Sequence, residues 1–444
     1  MNRKMDDKFP RVPKQAKQGK EAEDWTWVEP SVWTIRMLAA LAEGVKGGKW
    51  FSLIDKVWSM GNLQAAFRKV KANKGAAGVD HQTIAQFERR LEWNLGDIRK
   101  RLQEGSYRPQ WNRRQWIPKS GNKKEKRPLG IPTVRDRVVQ TALRNVIEPI
   151  FERDFIATSF GFRPKRGCKD ALRLMDELMK RGYVWMLDAD IRSYFDRIPH
   201  RRLMSLVGEK IADTRVLKLV EAYLNQGVMD GLESWTPEEG TPQGAVISPL
   251  LANIYLHPLD ALLAEKGYKM IRYADDFVVL CRTKEECEAA LAIVREWTEQ
   301  AGLELHPDKT VIRKVTEEQG IDFLGYHHKK DERWPRQKSL KKIKDTIRTV
   351  TKRTNGRSMR ETIGKLNQIL KGWFNYFKHS HRYIFERLDR WIRMRLRSIL
   401  RKRNGRRGRG RGMDHVRWPN AFFGTLGLFF LKTAWESACQ SVQR

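Results

Sequence analysis

The stretch Lys269-Met-Ile-Arg-Tyr-Ala-Asp-Asp-Phe-Val-Val-Leu-Cys281 sets two adjacent acids, Asp275 and Asp276, between apolar runs that read as the strands of a buried hairpin. Adjacent Asp residues are good turn formers, so a plain hairpin tip is the simplest account of them. Two carboxylates held that close repel each other, however, and without a cation one of them must shift its pKa upward and take a proton. A bound divalent metal removes the conflict and gives the pair a purpose.

Metal-assisted phosphoryl transfer calls for more than two carboxylates, which predicts a third acid on a neighbouring strand. Trp185-Met-Leu-Asp-Ala-Asp-Ile-Arg-Ser-Tyr-Phe-Asp196 supplies candidates. Alternation along a strand over 183–191 puts Asp188 and Asp190 on one face, with Asp190 last before the polar turn Arg192-Ser193. Asp196 reads as a structural acid near the next helix. Asp190, Asp275 and Asp276 are therefore the candidate catalytic and metal-binding residues. Three such carboxylates suit two Mg²⁺ ions about 4 Å apart, one activating an attacking hydroxyl and one steadying the leaving oxygen.

Two further segments suit a nucleotide. In Gly240-Thr-Pro-Gln-Gly-Ala-Val-Ile-Ser-Pro-Leu250 a loop with two glycines enters a helix, with Ser248 expected as N-cap and Pro249 as the first helical residue. Such a loop can approach a flat base or a phosphate closely. Lys119 and Arg127 bracket a basic loop, Pro118 to Pro128, suited to a triphosphate. The glycine-rich stretch Asn73 to Asp80 adds to a lobe that looks built to hold phosphates.

Composition agrees. Lys and Arg number 87 against 53 acids, a net charge of +34 that makes a polyanion the leading partner. At 444 residues, 40% of them hydrophobic, the chain should fold in two or more lobes. The four cysteines, Cys168, Cys281, Cys287 and Cys439, form no C-x-x-C pair and suggest a reducing compartment rather than a zinc module. No apolar run suits a signal peptide or a membrane span, so a cytoplasmic protein with no membrane partner is expected.

Residues 1–24 read as a basic tail, and ordered structure should begin in the aromatic stretch Trp25 to Trp50. Between Cys168 and Tyr326 the pattern is α+β: a helix over 170–181, a strand over 183–191, the quoted hairpin, a helix over 284–301 and a strand near 321–326. From Ser339 to Arg401 it is helical, with Ile343 and Ile347, then Leu366, Leu370 and Trp373, then Leu388 and Ile392 on apolar faces. The run Arg401-Lys-Arg-Asn-Gly-Arg-Arg-Gly-Arg-Gly-Arg-Gly412 reads equally as a flexible linker or as a binding segment.

Taken in order, Arg127-Pro-Leu-Gly-Ile-Pro132, Ser159-Phe-Gly-Phe-Arg-Pro164, Asp190 to Asp196, Gly240 to Ile254, Tyr273-Ala-Asp-Asp276, Gly302 to Thr310 and Phe323-Leu-Gly325 resemble the signatures of group II intron-encoded reverse transcriptases. Lys365 to Tyr383, with Gly-Trp-Phe-Asn-Tyr-Phe at 372–377, resembles the maturase motif of that family. The resemblance implies an α+β right-hand polymerase. Its parts would be a basic tail and extension over 1–50, fingers over 51–166 and a palm with a small antiparallel sheet over 167–330. A helical thumb or maturase domain would cover 331–400 and a basic DNA/RNA-binding segment 401–444.

The resemblance also implies roles. Phe195 would be the steric gate that selects dNTPs, Gln243 would lie against the incoming nucleotide, Lys119 and Arg127 would hold its triphosphate, and Lys309 would lie near the departing pyrophosphate. Arg163, Lys165, Arg387, Arg390, Arg393, Arg397, Arg401, Arg406 and Arg407 are expected on nucleic acid. Expected partners are the intron RNA, an RNA template with a DNA primer, target DNA and dNTPs. Many family members continue into a Cys/His-containing endonuclease domain; with no paired cysteines here, second-strand cleavage is not expected, and a primer would come from elsewhere, such as a nascent strand. The competing readings are an RNA-binding splicing cofactor with secondary polymerase activity, and a reverse transcriptase recruited for defence or DNA repair.

Overall fold

The structure is a computed structural model that describes residues 25–119, 122–231, 233–315, 320–329 and 332–440; the basic tail 1–24 lies outside them. The chain divides into two compact units, the first comprising most of the residues up to Ile312 and the second beginning at Arg313. Among the described residues no helix is long and apolar enough to cross a membrane.

The first unit opens with α1 (Ile35–Glu43), α2 (Ile54–Val57), α3 (Met60–Ala72), α4 (Ile84–Arg89) and α5 (Leu91–Glu104). In the aromatic stretch Trp33 is buried and its indole N–H donates to the Asn145 carbonyl at 2.9 Å. Strands β1 (Asn112–Lys119) and β2 (Asn122–Ile131) follow, then α6 (Val134–Glu152), which is buried along nearly its whole length and anchors the core. The basic segment 118–128, expected as a loop, is thus mostly paired strand. Polar residues hide it from a pattern search because its backbone is satisfied by pairing rather than by burying one face. In the glycine-rich stretch Gly78 packs closely on the start of α6, where a Cβ would sit 2.7 Å from the Thr133 backbone nitrogen.

Asp136, in the first turn of α6, accepts from the Tyr107 hydroxyl at 2.7 Å, the Thr133 hydroxyl at 2.7 Å and the Gln110 backbone N–H at 3.2 Å. Burial outweighs these bonds and pushes its carboxyl up to about 6. The folded state therefore holds the proton more tightly than the unfolded chain, whose Asp titrates near 3.9. Stability from this group is complete below about pH 4 and is lost as pH rises through about 6, a change of about 3 kcal/mol. The stability difference between the native chain and Asp136→Asn, measured by urea unfolding, should shrink by that amount across the window; a pH-independent difference would contradict it.

The chain continues through α7 (Cys168–Lys180), β3 (Trp185–Ala189), α8 (His200–Gly208), α9 (Thr214–Leu224), β4 (Val228–Asp230) and β5 (Glu233–Trp235). Then come α10 (Ser248–Glu265), β6 (Lys269–Tyr273), β7 (Asp276–Cys281), α11 (Lys284–Gln300) and β8 (Val311–Lys314). One four-stranded sheet has the order β2-β1-β4-β5, the other β6-β7-β3-β8. In the second, β7 pairs antiparallel with both β6 and β3. Phe277 to Cys281 are buried, as the apolar run demands, with α10 and α11 packed against the sheet. The α+β lobe with a small antiparallel sheet is present as expected.

In the second unit β9 (Ile321–Phe323), β10 (Tyr326–Lys329) and β11 (Glu332–Pro335) form an antiparallel sheet of their own. The strand expected near 321–326 in the α+β lobe is therefore broken in two, at Leu324-Gly325, where both φ angles are positive, and lies outside that lobe. Helices α12 (Gln337–Val350), α13 (Met359–Phe377) and α14 (Arg382–Arg403) bury Ile343, Ile347, Leu366, Leu370, Leu388 and Ile392 together, the faces marked by their periodicity. Helices α15 (Asp414–Arg417), α16 (Asn420–Thr425) and α17 (Leu431–Gln440) follow, and Trp418 at the end of α15, Phe423 and Leu431 join the same core.

The 401–412 run is no loose linker. Gly410 is buried and donates to the Ser398 hydroxyl at 3.0 Å, while Arg401 pairs with Asp414 at 2.7 Å.

Candidate active site

The β6–β7 hairpin closes through a two-residue turn, Tyr273 standing opposite Asp276 and Ala274 at φ +62°. Glycine is the usual occupant of such a position, so this turn is strained and must be held from outside. Arg272 holds it. Its guanidinium is buried, donates to Asp260 at 2.7 Å and Asn253 Oδ1 at 2.8 Å, and reaches the Ala274 carbonyl at 2.9 Å. Asn253 in turn donates to the Gly161 carbonyl at 2.9 Å. Gly161 must be glycine, since a Cβ there would lie 2.1 Å from the Ala274 nitrogen.

Asp190 follows the end of β3. Its carbonyl accepts from the His306 backbone N–H at 2.7 Å, and the Arg192 N–H donates to the Glu304 carbonyl at 2.8 Å. That pairing brings Lys309 over the strand end, where its ammonium reaches Asp190 Oδ2 at 2.6 Å. Asp190 and Asp275 line one cleft of about 910 Å³ together with Arg127, Phe195, Gln243 and Lys309. Burial, and then the Asp190 carboxylate, push the Asp275 carboxyl above its ordinary range, against the pull of Arg272 and Lys309.

The remaining expectations divide. Asp276 begins β7, is exposed, and is not among the residues lining the cleft, and Asp188 sits within β3 opposite Val278. Phe195 stands edge-on to Tyr194 and Phe162, with ring centroids 5.5 and 6.4 Å away. Lys119 ends β1, but its side chain lies outside the described residues. Asp196 caps no helix: α8 begins after Pro199, and Asp196 instead accepts from the Gln243 side-chain amide at 3.0 and 3.1 Å. Ser248 is the first helical residue rather than the N-cap, and its hydroxyl donates to the Pro242 carbonyl at 2.9 Å.

Among the basic residues, Arg163 is a correction. It is buried, bound to Glu152 at 2.6 Å and to the Ser159 carbonyl at 2.7 Å, so it pins the loop before α7 and offers nothing to nucleic acid. Arg397 is another, buried against Phe423 and donating to the Trp418 carbonyl at 2.8 Å and to Asn420 at 2.9 Å. Arg397 shares α14 with exposed arginines and Arg163 shares its loop with the exposed Lys165, a difference that residue type and spacing alone do not resolve. Arg393 is half-buried over Phe430, and Arg401 is held by Asp414. Lys165, Arg387, Arg390, Arg406 and Arg407 are exposed.

The residues missed from sequence are the supports, Arg272, Asp260, Asn253 and Gln140, whose side-chain oxygen accepts from the Val246 N–H at 2.7 Å. A charge inside an apolar strand and another inside the apolar helix Ser248–Glu265 were the available signal. Among the described residues no cluster of three or more His, Cys, Asp or Glu side chains stands ready for a metal.

A carboxylate pair at the end of an antiparallel sheet, facing cationic side chains across an open cleft, is the arrangement of a nucleotide-polymerising enzyme, and residues 117–328 match the family described as "Reverse transcriptase (RNA-dependent DNA polymerase)". Residues 340–418 match "Group II intron, maturase-specific domain". The chain belongs to the group II intron-encoded reverse transcriptase/maturase family. It is 37% identical over 306 residues to "Protein YkfC" of Escherichia coli (strain K12), covering 60% of this chain and 79% of that one. Identity to "Group II intron-encoded protein LtrA" of Lactococcus lactis subsp. cremoris is 38% over 209 residues, 47% of this chain and 34% of LtrA. The "Uncharacterized 91 kDa protein in cob intron" of Schizosaccharomyces pombe is 29% identical over 343 residues, 58% of this chain and 42% of the other. The chain thus spans most of YkfC but about a third of LtrA.

Proposed function

We propose that this chain extends a DNA primer on an RNA template and, through its helical unit, binds the intron RNA that encodes it and assists its splicing. The observation that carries the polymerase reading is the convergence of Asp190, Asp275, Lys309, Arg127, Gln243 and Phe195 on one cleft. The maturase-domain match supports the splicing role and favours it over recruitment for defence or repair. Reverse transcriptases as a family depend on divalent metal, and the two carboxylates on this cleft, Asp190 and Asp275, are what this chain would offer it. Two carboxylates face each other closely enough for Asp190 to raise Asp275, and the Lys309 ammonium already neutralises one of them. Asp190 and Asp275, with Asp276 beside them, would hold two Mg²⁺, which when bound acidify the attacking hydroxyl and offset charge on the leaving oxygens.

The chain's own residues do the rest. The primer 3′-oxygen attacks the α-phosphorus of the dNTP, and the bond to pyrophosphate breaks. Arg127 can grip triphosphate oxygens bidentately, with Lys119 expected beside it. Lys309 exchanges Asp190 for the charge gathering on the pyrophosphate. Gln243, held by Asp196, presents its loop to the base. Phe195, packed on Tyr194 and Phe162, closes the space a ribose 2′-hydroxyl requires. Target DNA as the primer source, intron mobility, and work in a bacterial cytoplasm or nucleoid belong to the same reading.

Primer extension by the full chain on an RNA template with Mg²⁺ tests the polymerase reading, and no extension under any divalent metal would reject it. Phe195→Ala and Phe195→Val should each reduce discrimination against ribonucleotides by at least about tenfold. An unchanged dNTP preference in single-nucleotide incorporation would remove Phe195 as the gate.

A further inference from the structure

The second unit has a groove of about 1080 Å³ walled by β11, α12 and the first half of α14. Its lining combines flat aromatic side chains with cations. Tyr383 is 50% exposed on its rim, with the Arg387 guanidinium 5.3 Å from the ring centroid. Trp334, partly buried with the His327 ring 5.3 Å away on one side, lines the same groove, as do Lys344 and Arg382, neither of which has an ion partner among the described residues. The two acids present are engaged, Glu386 with Arg390 at 3.8 Å and Glu332 with His381 at 3.7 Å. Trp391 has Arg348 and Arg395 over its ring at 5.6 and 5.4 Å, which makes it a wall rather than a platform.

An occupant must therefore be anionic and must also present flat apolar faces. A double helix meets only the first requirement, because its bases are stacked inside and only phosphates and groove edges reach the surface. A single strand meets both, with its phosphates on the cations and its unstacked bases on the aromatic rings. Resting on the maturase reading, we infer that this groove takes an unpaired stretch of RNA, such as a loop or bulge, whose bases stack on Tyr383 and Trp334 while Arg387, Arg382 and Lys344 follow its backbone. The helical unit then recognises its RNA partly by unpaired nucleotides and not by duplex shape alone.

The test uses the full chain, an oligouridylate of about 12 nucleotides carrying 4-thiouridine, a duplex of similar length, and the intron RNA. Photocrosslinks mapped by mass spectrometry should fall on Tyr383, Trp334 or their immediate neighbours. Tyr383→Ala should weaken single-strand binding by about tenfold while Tyr383→Phe retains it, and duplex binding should not change with either. Tyr383 is half exposed, so a melting curve matching the native chain will show that the variant folds. Crosslinks confined elsewhere, or equal single-strand affinity in Tyr383→Ala, overturn the inference while leaving intact a maturase that binds its intron RNA. A salt slope altered by Arg387→Gln with no effect of Tyr383→Ala would make the groove a duplex-backbone surface and overturn it too. Failure of the native chain to bind the intron RNA at all would reject the maturase reading and this inference with it.

Discussion

Replacing Asp275 and Asp276 together with Ala should lower Mg²⁺-dependent primer extension by at least about 10³-fold, and Asp190→Asn alone should do the same. Asp190, just past the end of β3, and Asp275, in the β6–β7 turn, line one cleft, and on the proposed reading each substitution removes a carboxylate that would hold metal. Stability should move little, or rise, because Asp275 is ionised at a cost: burial and the neighbouring Asp190 both push its carboxyl up. A variant that loses activity while melting at or above the native temperature separates a catalytic role from a structural one. Extension within tenfold of the native chain would show that the cleft does not do this chemistry.

Arg272→Ala should cost about 3–5 kcal/mol of stability, the usual penalty for stranding one member of a buried ion pair. Arg272 is 1% exposed and Asp260 0%, so water cannot compensate the carboxylate left behind. The same guanidinium ties Asn253 and the Ala274 carbonyl to the strained turn that presents Asp275, so activity should fall further than stability alone explains. The double variant Arg272→Met with Asp260→Leu should recover most of the lost stability, since an apolar pair of similar volume replaces a buried ion pair at little cost. It should not recover activity, because the turn remains untied. Urea unfolding and primer extension on the same preparations check both halves, and a double variant as unstable as the single would sink the ion-pair account.

These two residues show where reading by pattern reaches its limit. The acids of the hairpin were conspicuous because two like charges in an apolar setting require an explanation, and strand alternation then led to Asp190. Arg272 lies three positions from Asp275 and is a charge within a buried strand, but nothing in its local pattern assigns it a role. Its partner, Asp260, is twelve residues away on a helix, and no local rule joins them. For Asp196 and Ser248 the commonest local roles of their residue types are a structural acid near a helix and an N-cap. In the fold Asp196 binds Gln243 and Ser248 binds Pro242, contacts that depend on where two loops meet.

The same holds for the arginines. Arg163 and Arg397 share composition and spacing with exposed neighbours, and only the packing around Glu152 in one case and Asn420 in the other turns them inward. By itself the sequence determined the α+β class, the hairpin with its acids, the three apolar helix faces and the family, because each is carried by periodicity or by short ordered motifs whose physics is local. The tertiary structure alone decided which carboxylates share a cleft, which arginines are pins, that the 401–412 run is folded, and that Lys309 lies on Asp190. Each of these is a contact between segments far apart in the chain, and the free energy that selects it comes from burial and pairing that exist only once the segments have met.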